Sequence, residues 1–593
     1  MTVSPARLPE DVRHRRYAPG ALPARIAVAR WAHRHGLIAA VLLLYALCAI
    51  LLPTMTPAGV GDDWVYVRSV ETLTQTGQVR VLDLAVITLL FQIAWGALFA
   101  ALFGPGFGVL RVATVVMTLL GGWACYGVCR ELGVTRERSA LGAAAYLFNP
   151  LAFVLAYTFM SDPYFTALLV IALWATLRGL RPGDGRWLLA GGVVAASAFL
   201  VRQQGALIPP TVLVGMALAG RWRPTRAGSV NALRIAGPLA LAMIGYYGWL
   251  LLIRGAPEQQ QQFSEAMIDA GFGQSLLLVA RMGFISLMYV GLFALPLAAI
   301  ALAAGWRALI PRGRFGWVAI AAWVVALAVG IAHFERLGLH PPPMPRMPYV
   351  PQYLSPDGLG PTDLRGGRVW LVGWPALAVL TAVCAASSLL WLAPLARRLD
   401  SPRRPDPAAA GALVIAAVLL GQAAGTIPPS FHFRNWIVSV DRYLLPLLPL
   451  ALALGLWALR GASRGNRAAW LIVALLGCFA FAGTRDLLVF QGATWRLAQA
   501  AVDAGTPLTQ LDAGASWDGY HLYDYSVANH IPTQTPHGPW WTDLFAKATD
   551  STFVVATTPQ DGYVFVAGIE YSSWLHGGPQ PLYLLRREES PAG

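Results

Sequence analysis

Two adjacent carboxylates, Asp62 and Asp63, stand in the stretch Gly61-Asp62-Asp63-Trp64-Val65-Tyr66-Val67-Arg68, just past an apolar run over 37–53. Three later places also put ionisable groups at the ends of apolar runs. Asp162 lies in Tyr157-Thr158-Phe159-Met160-Ser161-Asp162-Pro163, and Arg202 in Val201-Arg202-Gln203-Gln204-Gly205. His432, Arg434, Asp441 and Arg442 precede or begin Tyr443-Leu444-Leu445-Pro446. Ionisable groups in so apolar a chain point to function. A carboxylate takes the proton of an attacking hydroxyl or amine as general base. Arginines grip a phosphate bidentately and stabilise the charge it gains on leaving. Together these groups suit attack on a sugar anomeric carbon that carries a phosphate leaving group. A lipid-linked phosphate donor explains why such a site lies at a membrane surface.

Each group also has a plainer explanation. Asp62 and Asp63 suit a solvated loop or a helix N-cap, and Asp162-Pro163 suits a helix start with proline in the first turn. Arg202 suits a snorkelling side chain, and Arg442 suits a local pair with Asp441. His432 alone is weak. Arg111 and Arg281, near or within apolar runs, are explained by packing or snorkelling, and most Trp and Tyr at run ends by interface anchoring. Four hairpins carrying ionisable groups at one level tip the balance towards a site.

The elements that must position them are membrane spans. Of 593 residues, 56% are hydrophobic and 12% charged, against about 25% charged in a soluble protein; the mean hydropathy is +0.54. Apolar runs long enough to cross a bilayer recur along the chain. The net charge of +14 is almost all arginine, since Lys547 is the single lysine. These arginines cluster in short loops on alternate sides of the apolar runs, a positive-inside pattern rather than a basic face for nucleic acid.

The Arg-rich segment 1–36 is assigned to the cytoplasm and 37–53 to an uncleaved first span. If 84–103 spans, every later Arg-rich loop falls outside; if it lies in the interface, they fall inside. The second choice gives 27 Arg against 7 acidic residues inside, and 16 Arg plus Lys547 against 23 acidic residues outside. The expectation is therefore a juxtamembrane helix at 84–103 within a first outer loop, 54–108. The remaining spans are 109–129, 140–158, 163–179, 187–201, 206–220, 234–253, 275–303, 317–333, 368–395, 411–427, 443–459 and 468–483, about thirteen with the first. The fold class is a polytopic α-helical membrane protein, its membrane domain over 37–483.

Two long outer loops, 255–274 and 333–367, are of a length usually functional or disordered; the second contains Tyr349-Val350-Pro351-Gln352-Tyr353-Leu354. From 484 to 593 the composition turns polar and aromatic, with Asp503, Asp512, Trp517, Asp518, Tyr520, His521, Tyr523, Asp524 and Tyr525, then short β-type runs at 552–557 and 563–569. This reads as a small extracytoplasmic α/β domain. Cys48, Cys125, Cys129, Cys384 and Cys478 fall in apolar runs, without disulfide or zinc spacing.

At this point the residues resemble a known family. Gly61-Asp62-Asp63-Trp64-Val65-Tyr66 looks like the first-loop acidic motif of the GT-C glycosyltransferases, nearest to the protein O-mannosyltransferase and lipid A aminoarabinose transferase branches. Met160-Ser161-Asp162-Pro163 is similar to the second acidic motif. Phe199-Leu200-Val201-Arg202-Gln203 is similar to the arginine turn that follows it, and Asp441-Arg442-Tyr443-Leu444-Leu445-Pro446 to the Arg-Tyr start of a late span. The resemblance implies a polyprenyl-phosphate sugar donor and an inverted product. It implies a catalytic or site-organising role for Asp62, with Asp63 its acidic neighbour. In one departure, Asp83-Leu84 stands where a His-Pro or Lys-Pro pair often precedes the juxtamembrane stretch.

The expected activity is sugar transfer from polyprenyl phosphate to an extracytoplasmic glycolipid, envelope polysaccharide or protein. Asp62, Asp63 and Asp162 are the catalytic candidates, and Arg202 and Arg442 the phosphate ligands. Tyr66, Gln203, His432, Arg434 and Tyr443 are further candidates. No obligatory metal is expected, since the active loop has no Asp-x-Asp. A flippase for a lipid-linked sugar would need charges buried in mid-span. A ligase or polymerase of the O-antigen type would leave Asp62 and Asp63 unexplained. The dominance of Arg over Lys suggests a bacterial plasma membrane with the site and C-terminus outside.

Overall fold

The computed structural model describes residues 24–181, 184–255, 272–337, 344–362, 364–399, 407–426, 440–531 and 548–588. Apolar segments in a bilayer fold as helices because each backbone polar group must find its partner within the segment. The helices are α1 (Ala24–Leu51), α2 (Asp63–Thr76), α3 (Leu90–Phe103), α4 (Phe107–Glu131), α5 (Arg136–Leu147), α6 (Pro150–Ala156), α7 (Ser161–Gly179), α8 (Gly185–Phe199), α9 (Ile208–Leu218), α10 (Arg226–Trp249), α11 (Phe272–Phe293), α12 (Leu295–Ala303), α13 (Arg314–Leu337), α14 (Trp374–Leu399), α15 (Pro407–Gly425), α16 (Leu447–Ala458), α17 (Asn466–Asp503) and α18 (Ala515–Ala528).

All thirteen expected spans fall on helix. Among the described residues, however, eight helices are long and apolar enough to cross a membrane. A ninth is reached if α5 and α6 form one span bent by 62°. That bend has a local cause: Asn149 accepts the Leu151 amide at 3.1 Å and Pro150 takes the first helical position. The count falls short of thirteen because α8 and α9 have only fifteen and eleven residues, and α7, though nineteen long, is charged at both ends. α7 carries Asp162 in its first turn and Arg178 in its last, and a 3₁₀ turn at Gln203–Leu207 precedes the eleven residues of α9. The molecule is a helical, multi-pass membrane protein.

α3 has fourteen residues, about 21 Å at 1.5 Å per residue and short of a bilayer core of about 30 Å. The Leu89 and Phe91 amides donate to the Val201 and Leu200 carbonyls at 3.1 Å each, and Gln92 Nε2 donates to the Phe159 carbonyl at 2.7 Å. The first turn of α3 is thus tied to the two turns that carry Asp162 and Arg202.

The C-terminal sheet has four strands. Within 344–362, β1 (Leu354–Ser355) and β2 (Gly358–Leu359) form a small hairpin. Strand β3 (Leu511–Asp512) pairs parallel with β4 (Phe553–Ala556); β5 (Tyr563–Ser573) and β6 (Gly578–Arg587) complete the sheet antiparallel. The expected small α/β domain is therefore this sheet with α18. The expected boundary at 483/484 lies inside α17, whose 38 residues run unbroken from the last apolar segment to Asp503. One continuous apolar core joins the helices to the sheet, from Tyr45 and Phe153 to Leu511, Trp517 and Leu582.

Candidate active site

The loop between α1 and α2 needs help to hold its shape, because 54–60 makes few regular backbone bonds. Arg111 of α4 supplies it. Its guanidinium is fully buried and donates to the carbonyls of Thr54 (3.3 Å), Thr56 (2.6 Å) and Ala58. This is a loop-organising role that packing or snorkelling did not anticipate; its partners lie more than fifty residues upstream. Gly61 then turns the chain at φ 57°, a left-handed conformation that favours glycine.

Asp62 occupies the N-cap position of α2 without capping it. Its Oδ2 instead accepts from Arg442 at 2.9 Å. Asp63 is fully buried, and its two oxygens accept the amides of Val60 (2.8 Å) and Phe159 (3.4 Å). Burial raises the Asp63 carboxyl to about 7, against the opposing pull of the Arg111 charge. The two adjacent carboxylates therefore do different things. Asp62 joins the polar cluster, and Asp63 fastens the first loop to the turn before α7.

Asp162 and Arg202, forty residues apart, form a second buried pair. Asp162 is not an N-cap, a position held by Met160. Its Oδ2 has no partner although it is buried. Arg202 is buried rather than snorkelling. The Tyr443 ring contacts both cations, 4.9 Å from the Arg202 guanidinium carbon and 5.3 Å from that of Arg442, two cation–π contacts. Arg442 also reaches the Met160 sulfur at 3.6 Å, and its Nε is buried without a partner. Tyr66, one helical turn after Asp62, is buried where the charges of Arg442, Asp62, Arg202 and Asp162 all reach it. Burial raises its hydroxyl pKa, while Arg442 and Arg202 pull it down.

Asp62, Asp162, Arg202, Arg442, Tyr66 and Tyr443 are thus brought together. Gln203 is not: its amide donates to the Val86 carbonyl at 2.8 Å and anchors the segment before α3. His432 and Arg434 lie outside the described residues. The plainer alternative, a local pair of Asp441 with Arg442, does not occur, since Arg442 pairs with Asp62. Asp441 turns to the 344–362 loop and accepts the amides of Gln352 (3.4 Å), Tyr353 (3.0 Å) and Leu354 (2.6 Å). Tyr353, which the sequence did not single out, is fully buried beside Asp62 and Arg442 with its hydroxyl unpartnered. Among the described residues, no three His, Cys, Asp or Glu side chains converge as a metal-binding set.

The C-terminal domain closes over α2. A Cβ on Gly519 of α18 would lie 2.4 Å from the Trp64 indole, so glycine permits this contact. Arg68 donates to the Tyr520 carbonyl at 2.7 Å and pairs with Asp524. The Tyr520 hydroxyl meets Glu71 at 3.1 Å, and burial with the Glu71 charge raises it to about 12.

Chemically, the cluster offers carboxylates beside guanidinium groups in a site largely closed to water. Asp62 keeps 22% side-chain exposure and is the most open member of the two ion pairs.

The family model described as "Dolichyl-phosphate-mannose-protein mannosyltransferase" matches residues 92–249, about a quarter of the chain. That segment contains Asp162 and Arg202, and over it the resemblance to GT-C glycosyltransferases is borne out. No curated protein matches. Among solved structures, the chain is similar to ArnT from Cupriavidus metallidurans bound to undecaprenyl phosphate, at 14% identity and a TM-score of 0.42, covering 93% of this chain and 98% of that one. It is also similar to the Archaeoglobus fulgidus oligosaccharyltransferase in the apo form, at 15% identity and a TM-score of 0.44, covering 88% and 69%. A third is the arabinofuranosyltransferase AftD from Mycobacteria, at 14% and 0.38, covering 94% and 40%.

Proposed function

We propose that this chain is a GT-C glycosyltransferase that moves a sugar from a polyprenyl-phosphate donor to an extracytoplasmic acceptor. The observation that carries the reading is the paired arrangement of Asp62 with Arg442 and Asp162 with Arg202, with Tyr443 in contact with both cations. The donor phosphate lies against Arg202 and Arg442. The acceptor hydroxyl or amine attacks the anomeric carbon while the bond from that carbon to the phosphate oxygen breaks. The electron pair leaves with the polyprenyl phosphate, whose growing charge the guanidinium groups take up. Asp62 receives the acceptor proton as general base. Asp162 holds Arg202 in place, and Asp63 keeps the first loop fixed through the Val60 and Phe159 amides.

In this reading the N-terminus is cytoplasmic, α3 is a juxtamembrane helix, and the site and the C-terminal sheet face outward from a bacterial plasma membrane. The acceptor is a glycolipid, an envelope polysaccharide or a protein.

The test is turnover of a panel of radiolabelled polyprenyl-phosphate sugars in membranes carrying wild type, Asp62→Asn or Arg202→Ala. Release of sugar from one donor by wild type, abolished in Asp62→Asn at equal protein level, supports the reading and names the donor. Consumption of no donor, or full activity of Asp62→Asn, overturns it.

A further inference from the structure

Asp441 is a buried carboxylate that the proposed reaction does not use. The two residues that follow it both face the site: Arg442 pairs with Asp62, and Tyr443 lies against Arg202. Asp441 itself points the other way and gathers three successive amides, those of residues 352, 353 and 354. The Asp441 amide in turn donates to the Val350 carbonyl at 3.0 Å. A carboxylate receiving several amides makes short, charge-assisted bonds and fixes the backbone it receives them from.

The segment so held has other fastenings further along. The Gly360 amide donates to the Tyr353 carbonyl at 2.9 Å, and Arg368 holds the carbonyls of Leu359 (3.0 Å) and Gly360 (2.6 Å). Leu359 sits against Gly483 of α17. On the other side, the Met347 amide donates to Thr381 of α14 at 3.0 Å. These contacts place the ends of the segment; among the described residues, the amides of residues 352–354 are held by Asp441. The result is a buried Tyr353 hydroxyl with no partner, 3.1 Å from where a Cβ on Gly61 would stand. A buried hydroxyl without a partner is costly unless something binds it. Here the neighbouring groups are Gly61, Asp62 and Arg442.

We propose that Asp441 is a positioning residue that, by gripping the amides of residues 352–354, sets the Tyr353 hydroxyl against Asp62 as a further polar wall of the site, where it donates to the bound substrate. Asp441 acts through Tyr353 and touches no reacting atom. The catalytic arm of this inference rests on the transferase reading; the structural arm does not.

The experiment combines hydrogen–deuterium exchange of the full-length protein in detergent with steady-state turnover of the donor that wild type consumes. The variants are Asp441→Asn, which keeps the shape, and Tyr353→Phe, which removes only the hydroxyl. Asp441→Asn is expected to speed exchange across 350–356 by roughly tenfold or more, and to lower kcat by about a hundredfold through misplacement of Tyr353. Tyr353→Phe is expected to leave exchange unchanged and to lower kcat rather than raise the donor KM. Unchanged exchange in Asp441→Asn overturns the grip. Faster exchange with wild-type turnover, or full activity of Tyr353→Phe, overturns the positioning role. If wild type consumes no donor, the transferase reading and the catalytic arm fall together, and the exchange result still decides the grip.

Discussion

Asp62→Asn strands a cation, because the two members of the Asp62–Arg442 pair are buried to different degrees. The Arg442 side chain is 5% exposed and that of Asp62 22%. Once Asp62 is neutral, Arg442 keeps the Met160 sulfur at 3.6 Å, the Tyr443 ring at 5.3 Å and the more distant charge of Asp162, but no direct carboxylate partner. Breaking one side of a buried pair costs about 3–5 kcal/mol. The asparagine oxygen still accepts one hydrogen bond, so a loss of stability of about 3 kcal/mol is expected. Arg442→Met leaves the better hydrated partner behind and should cost only about 1–2 kcal/mol. The double variant strands nothing, so it should be more stable than Asp62→Asn, with a coupling of roughly 2 kcal/mol. Turnover behaves differently: loss of a general base lowers the rate by about 10²–10⁴-fold, and the double variant should not recover it. Thermal denaturation in detergent, read beside initial rates with the active donor, separates the two effects. A double variant no more stable than Asp62→Asn would refute the ion-pair argument, and near-wild-type turnover of Asp62→Asn would refute the base assignment.

Three further outcomes follow from the same geometry. The Asp63 carboxyl sits at about 7 when folded, against an ordinary 3.8. The folded state therefore binds more protons between these values, and this group's contribution to stability is full below about pH 4 and is lost as pH rises to about 7. Asp63→Asn should flatten that slope in denaturation measured across this window; an unchanged slope would count against it. Arg111→Met leaves the carbonyls of Thr54, Thr56 and Ala58 without their donor, at about 1–3 kcal/mol for each buried group. It should lower the denaturation temperature and speed proteolysis of 54–60. Gly519→Ala drives a methyl into Trp64, so α18 should separate from α2 at a cost of about 1–3 kcal/mol. Faster hydrogen exchange in both helices would register it, and unchanged exchange would contradict the contact.

Much of the site is legible in the sequence because charge is scarce there. In a chain with 12% charged residues, a carboxylate or guanidinium at the end of an apolar run is conspicuous. Asp62, Asp162, Arg202 and Arg442 meet in the fold as their shared level suggested. Local direction is harder to read. Asp441 and Arg442 are chain neighbours in a 3₁₀ turn, where successive side chains diverge by about 120°, so they serve different partners instead of each other. Gln203 opens the 3₁₀ turn that the extended Arg202 precedes, and it faces the segment before α3. Arg111 looked like a stray cation because its acceptors are carbonyls of an irregular loop, which leave no pattern in sequence. Tyr353 was hidden for a similar reason, since its segment has no period to predict a face. Hydropathy located the helices well, but it could not tell a full span from the short and broken helices around the site.

The 38 residues of α17 have a mechanical consequence. At 1.5 Å per residue the helix is about 57 Å long. Part of it lies in the apolar core, and its far end leads directly to the sheet. A rod of that length works as a lever: a tilt of about one degree at the membrane end displaces the other end by about 1 Å. Along its length it bears on Leu359 through Gly483, and on Phe107 through Trp495. A change of tilt at the membrane end would therefore reach the loop that holds Tyr353 through the contact of Gly483 with Leu359.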